Sequence, residues 1–494
     1  MSCIAKSKKL WILLFIIRAA GLLIGLDRLP MVPTVYPEVI INDPAVSLSQ
    51  GHGFVAFSLE HSVNGLDKLY AHFPPVFIAL QALVFRLFGF SGITLRALSV
   101  VCDLATCFVF LLILAEFEKR KILDRAGAML AGILIVLEPT AMIHAREGRM
   151  ESLNTLLGAL ALLLCIRAGS RFGLWLGAAL LIGIALATHP AAALMWVAFE
   201  AWTLMEFRKL GLWRWLAVNA APPVVMLIAW LIVYGNRVGS AVAQMRHLST
   251  FAGAPDLRII DLIESLRHGA VAAAQNAGGL GLIFTLIAFV WAIRRAFDKR
   301  PAPPGWRLTL VTLIAVLAVQ MLLLRFLIPT SGMNRAVMIF PFALVLAGVA
   351  LSHMGDSARK PVRNIAAVAI TMQLGMIVLY IAQLRHGWNE RSPDRFDSIV
   401  AAAPAGAQVA GPPELWYGFR HHGRQFTVIY RAMGEEDYWN TPNAFDSWDV
   451  VILDPNWPFY EAWRRKASAG RPVSRMIHTY QRDFLVLAKS LSGN

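Results

Sequence analysis

Apolar runs of bilayer-spanning length recur along most of this chain. They lie near 10–26, 96–115, 126–144, 151–166, 172–188, 190–206, 215–234, 278–293, 307–328, 336–352 and 364–384. A bilayer core of about 30 Å needs roughly 20 such residues in a helix. A backbone placed there must satisfy its own hydrogen bonds, so repeated runs dictate a polytopic helical bundle. The totals agree: 57% of the 494 residues are hydrophobic and 16% charged, a balance foreign to soluble domains. The net charge of +15 would suit nucleic acid if it were concentrated on one surface. Here the basic residues fall in short clusters between apolar runs, the pattern of topology determinants beside a cytoplasmic leaflet, so no nucleic-acid partner is expected. Cys102, Cys107 and Cys165 lie inside apolar runs and read as buried packing.

A twelfth stretch, "PPVFIALQALVFRLFG" at 74–89, is short, starts on two prolines and carries Arg86. If it does not cross, the clusters Lys119–Lys121, Arg167 with Arg171, Arg208–Lys209, Arg294–Arg307 and Arg359–Arg363 all share the side of Lys6, Lys8 and Lys9. The positive-inside bias favours that parity. It makes residues 75–89 an amphipathic helix on the outer interface, leaves eleven spans, and puts the N-terminus in the cytoplasm. The outer face then receives residues 28–95, the turn "HAREGRME" (144–151), "THP" (188–190), segment 235–276, "SGMNR" (331–335) and everything after 385. Beyond 385, strand-like runs at 407–411, 425–430, 449–454 and 483–488 alternate with helical spacing in "RFDSIVAAA" and "FYEAWRRKASA". They predict a small α/β domain over 386–494, outside the membrane.

Polar residues in the outer turns are the candidates for chemistry. In "YPEVIINDPAVSLSQGHG" (36–53), Asp43-Pro44 reads as a helix start, with Asp as N-cap and Gly51 just past the end. Glu38 has no such role, and its apolar neighbours press it toward the membrane surface. Partial desolvation makes a carboxylate a better base. Arg146 and Arg149, with Glu147 and Glu151 interleaved, offer either a self-neutralised turn or a clamp for an anion, and Asn334-Arg335 adds a second outer cation. Arg96 and Asp103 share a helix face nearly two turns apart, so each is expected to meet another helix. His72 and His189 are read as capping or hydrogen-bonding residues. No HExxH, CxxC or DxD motif accompanies them, so no metal or other cofactor is required on sequence grounds.

These motifs together resemble the GT-C class of membrane glycosyltransferases, in particular the family 39 group of protein O-mannosyltransferases and aminoarabinose-transferase-like enzymes. That group carries an acidic pair in its first external loop, followed by an A-x-x-L-x-x-G tail. Ala45, Leu48 and Gly51 match the tail, and Glu38 falls on the second acid, while Pro37 stands for the first, Ile41 for an aromatic, and Pro44 interrupts a helix. "HFPPVFIALQALVFRLFGFSGITLRALS" is similar to the group's P-P-L…lfG…aR stretch at Pro74, Pro75, Phe88, Gly89 and Arg96. "GRMESLNTLLGALAL", "GIALATHP" and "NRAVMIFPFALV" resemble later elements, the last at Arg335 and Pro341.

The resemblance covers residues 1–385 and implies a GT-C membrane domain there. The activity it implies is transfer of one sugar from a polyprenyl-phosphate donor to a lipid, glycan or protein acceptor at the outer face of the plasma membrane. On that reading Glu38 or Asp43 is the base, Arg149, Arg335, Arg146 and Arg96 receive the donor phosphate, and His72, Glu151, His189 and Asn334 line the site. Polyprenyl phosphate leaves readily, so one carboxylate suffices where a glycosidase needs two. A lipid-linked saccharide flippase and a glycan polymerase or ligase use the same residue types. Inverted halves with broken helices, common in transporters, are not evident in the sequence.

Overall fold

The protein is described here from a computed structural model covering residues 7–28, 35–60, 65–251, 290, 340–353, 356–385, 388, 392–429, 439, 443–456, 460–469, 471, 473–479 and 482–489. Apart from residue 290, the apolar runs 278–293 and 307–328, with Asn334 and Arg335, lie outside the described residues.

The described apolar runs form helices. These are α1 (Lys8–Leu23), α2 (Val35–Ser49), α3 (Pro75–Phe88), α4 (Gly92–Lys119), α5 (Arg125–Val136), α6 (Pro139–Ala145), α7 (Glu151–Ala168), α8 (Phe172–Leu186), α9 (Ala193–Met205), α10 (Leu212–Tyr234), α11 (Val238–Phe251), α12 (Phe340–Ser352) and α13 (Asp356–Arg385). Five described stretches are long and apolar enough to cross a membrane: Gly92–Lys119, Arg125–Ala145, Glu151–Ala168, Leu212–Gln244 and Arg359–Arg385. Helix α3 has 14 residues, about 21 Å at 1.5 Å per residue. It buries Phe77, Ile78 and Phe85 against the protein and exposes Leu80, Leu83 and Leu87, so both of its faces are apolar.

An ion pair sits deep in this bundle. Arg18 on α1 pairs side-on with Asp103 on α4, with Nε 2.7 Å from Oδ2 and Nη2 2.5 Å from Oδ1. Its Nη1 donates to the carbonyls of Val136 and Glu138, the first of which ends α5 without a helical partner. The Glu138 carboxylate caps α6 by accepting from the Ala141 amide at 2.5 Å. Charges this deep require partners, and here they stitch a broken span to two others.

The sequence places a helix start at Asp43-Pro44, and the structure corrects this. Helix α2 begins at Val35 and runs through Pro44, so Asp43 is not an N-cap. Proline has no N–H for the carbonyl four residues back, here Ile40. The Tyr70 hydroxyl supplies the missing donor, at 2.7 Å from that oxygen. Gly51, with φ +86°, ends the segment as expected.

Beyond the helices, a five-stranded sheet has the order β2-β1-β3-β5-β4. Its strands are β1 (Val409–Gly411), β2 (Thr427–Val428), β3 (Val450–Leu453), β4 (Val473–Thr479) and β5 (Arg482–Ala488). β1 pairs in parallel with β2 and β3, while β5 runs antiparallel to β3 and β4. Four strands coincide with the predicted runs; β4, "VSRMIHT", was not anticipated. Helices α14 (Glu414–His421) and α15 (Tyr460–Ser468) flank the sheet. One apolar core joins this unit to the first loop. Val39 and Ala45 of α2, Phe85 of α3 and Leu95 of α4 pack in the same cluster as Leu415, Phe419, Val409 and Phe484.

Candidate active site at the end of the bundle

Glu38 lies in the first turn of α2 and is 3% exposed. Arg96, near the start of α4, grips it: Nη2 is 3.1 Å and Nε 3.2 Å from Oε1. The remaining Arg96 donor, Nη1, bonds the carbonyls of Leu26 and Arg28, so its position does not depend on Glu38. Burial pushes the Glu38 carboxyl up to about 7, with Glu147 adding to the rise and Arg96 and Arg149 opposing it. Desolvation wins because a carboxylate loses more hydration than one imperfect ion pair returns.

Arg149 lies within electrostatic reach of Glu38. It projects from the turn before α7. Nη2 is 2.6 Å from Glu151 Oε1, Nε is 3.2 Å from both Glu151 oxygens, and Nη1 is 3.7 Å from Glu147. Burial works against the charge, but Glu151 and Glu147 outweigh it and hold the Arg149 pKa above its usual value. The turn is pinned by the Ser99 hydroxyl, which donates to the Arg149 carbonyl at 2.7 Å. Gly148 has φ +64°, and a Cβ there would fall 2.7 Å from the Leu95 carbonyl oxygen. Gly148→Ala is therefore expected to cost about 1–3 kcal/mol of stability, the range for strained backbone, measured as a lowered thermal unfolding midpoint.

Arg146 occupies the same turn but serves another partner. Its Nη1 and Nη2 donate to the carbonyls of Gly21, Leu22, Ile24 and Gly25 at 2.7–3.0 Å. It thereby satisfies the end of α1, and Tyr380 lies across its guanidinium. His189 caps the turn before α9, its Nδ1 accepting from the Ala191 amide at 3.0 Å. The Phe73 ring stacks on His189, and the His72 ring meets Phe73 edge-on at 4.4 Å. Glu151 feels both His189 and His144. The turns 36–43, 72–76, 144–151 and 188–190 thus share one end of the bundle. Among the described residues no group of three or more His, Cys, Asp and Glu side chains is placed to hold a metal ion.

Asp43 points elsewhere and is fully buried. Its Oδ1 accepts from Ser58 Oγ at 2.7 Å, Arg420 Nη2 at 2.8 Å and Trp416 Nε1 at 2.9 Å, while Oδ2 accepts from the Ser58 amide at 2.9 Å. Sequence reasoning missed Trp416 and Arg420. They lie four apart on α14 and therefore on one face, a signal visible in "ELWYGFRH" that nothing in the sequence tied to Asp43.

Comparison with known proteins bears on the fold. The sequence model of the dolichyl-phosphate-mannose-protein mannosyltransferase family matches residues 72–236. The crystal structure of ArnT from Cupriavidus metallidurans in the apo state superposes with a TM-score of 0.64 at 14% identity, covering 98% of each chain. The chain has the GT-C fold. The same ArnT bound to undecaprenyl phosphate gives 0.61 at 14% identity, over 98% of this chain and 99% of that one. A third GT-C structure is the oligosaccharyltransferase AglB from Archaeoglobus fulgidus, in complex with an inhibitory peptide and a dolichol-phosphate. It gives 0.53 at 11% identity, over 99% of this chain and 75% of its own. No curated protein matches the chain by sequence.

Proposed function

We propose that this GT-C protein transfers a single sugar from a polyprenyl-phosphate carrier to an acceptor hydroxyl at the outer face of the plasma membrane. The observation that carries the reading is Glu38: a buried carboxylate with a pKa near 7, fixed by Arg96 and within reach of the Arg149 charge. The ArnT and AglB structures hold undecaprenyl phosphate and a dolichol-phosphate, which supports a carrier of the same chemistry here.

In this reading Glu38 is the base. The acceptor oxygen attacks the anomeric carbon as its proton passes to Glu38. The new C–O bond forms while the bond to the carrier phosphate breaks, and the electron pair leaves on the phosphate. Attack comes from the face opposite the leaving group, so configuration inverts. Arg96 keeps its two carbonyl partners when Glu38 becomes neutral, which holds the site in place through the step. Arg149 balances the departing negative charge, with Arg335 a further proposed contact outside the described residues. Charge-assisted hydrogen bonds of this kind contribute about 1.5–3 kcal/mol each. Arg146 and Asp43, whose donors and acceptors are already engaged, hold the scaffold.

The pH dependence follows from the sign of the Glu38 shift. The base works deprotonated and its pKa is raised to about 7, so the transfer rate is expected to climb as pH rises through 7. An ordinary carboxylate would place that climb between about pH 4 and 5. A profile of kcat against pH from 5 to 9, with purified protein, labelled carrier-linked sugar and a fixed acceptor, reads it directly. A rate flat down to pH 5 would remove Glu38 from the role.

A further inference from the structure

A polar cavity lies away from Glu38, where the sheet meets the first loop. It measures about 380 Å³, within the roughly 300–1,000 Å³ of small-molecule pockets. Its walls come from the amino ends of the three parallel strands, through Gln408 before β1, Gln425 before β2, and Ser447 and Trp448 before β3. Phe57, from the 3-10 turn after α2, and Arg420, from α14, close the other side.

Arg420 is 8% exposed. Its Nη2 is committed to Asp43 and Ser58, but its Nε is buried with no hydrogen-bond partner among the described residues. A buried donor left in that state costs about 1–3 kcal/mol, and a ligand oxygen would remove the cost. The charge balance selects the ligand. Asp43 already neutralises Arg420, and Glu60 lines the same cavity, so the site does not favour an anion. Two amides, a hydroxyl and a guanidinium N–H suit vicinal hydroxyl groups, and the exposed Phe57 ring suits the apolar face of a pyranose.

We propose that this cavity binds a short neutral saccharide, as a site separate from the Glu38 centre. Arg420 links it to Asp43 on α2, the helix that carries Glu38, so an occupant would sit one ion pair from the base-bearing helix.

The test is binding of the full-length protein, in phospholipid nanodiscs free of glycoside detergents, to a glycan array of neutral and anionic mono- to tetrasaccharides. The wild type is expected to retain at least one neutral saccharide. A Gln408→Ala/Gln425→Ala pair should weaken that binding at least tenfold, and Ser447→Trp, which fills the cavity from an exposed position, should do the same. Glu38→Gln should bind as the wild type does, which separates this site from the transfer chemistry. No retention by the wild type, retention of anionic saccharides alone, or retention indifferent to both cavity variants would overturn the proposal.

Discussion

Glu38→Gln is expected to lower sugar transfer by about 10²–10⁴-fold, the usual contribution of a positioned general base, while leaving the protein folded. Gln preserves the shape of the side chain and offers Arg96 an oxygen acceptor in place of the carboxylate, so the 3.1 Å contact can survive as a neutral hydrogen bond. What disappears is the capacity to accept a proton. Because chemistry alone is affected, kcat should fall with little change in KM. An unchanged unfolding midpoint would confirm that the loss is not structural. The burial that lifts Glu38 to about 7 makes it a stronger base than an exposed carboxylate.

The largest expected effect on stability lies at Asp43. Asp43→Ala would leave the Arg420 guanidinium buried without its counter-charge, together with Ser58 and Trp416 donors stripped of their acceptor. Breaking a buried pair from one side costs about 3–5 kcal/mol. The outcome should be a strongly lowered unfolding midpoint, with the α/β unit released from α2. Replacing both partners by apolar residues, Asp43→Leu with Arg420→Met, should recover much of the loss, because no charge is then stranded. Asp43→Asn keeps an oxygen for Ser58 and Trp416. Where that variant folds, it should transfer sugar within about tenfold of wild type, whereas Glu38→Gln should not. The pair of variants decides which of the two loop carboxylates is the base.

The bundle was legible because bilayer-length apolar runs leave the backbone one solution. The convergence of residues 36–43, 72–76, 144–151 and 188–190 was legible through parity, since alternating spans bring alternate turns to one end. Side-chain partners were harder. Arg96 was expected to reach another helix and reaches Glu38; Asp103 was expected to do the same and meets Arg18. Yet Arg146 and Arg149, three residues apart in one turn, have different duties: one is consumed by the carbonyls ending α1, the other pairs with Glu151 within electrostatic reach of Glu38. Spacing cannot separate them, because the difference lies in where α1 happens to end. Asp43-Pro44 misled for a similar reason. Proline after aspartate favours a helix start locally, and Tyr70 overrides that preference by giving the Ile40 carbonyl, 30 residues back in the chain, the hydrogen bond that Pro44 lacks. β4 escaped notice because Arg475 and His478 dilute its apolar signal, and its pairing with β5 is tertiary information.

The central claim is that Glu38 and Arg149 form a centre that breaks the bond between a sugar and a polyprenyl phosphate. Incubating the purified protein with acceptor and an isotopically labelled undecaprenyl-phosphate sugar, then resolving products by mass and anomeric configuration, tests it most directly. The predicted result is free undecaprenyl phosphate in equal amount to a glycosylated acceptor of inverted configuration, formed by wild type and not by Glu38→Gln. Labelled donor that crosses the bilayer with its sugar still attached, or full turnover in Glu38→Gln, would contradict the account.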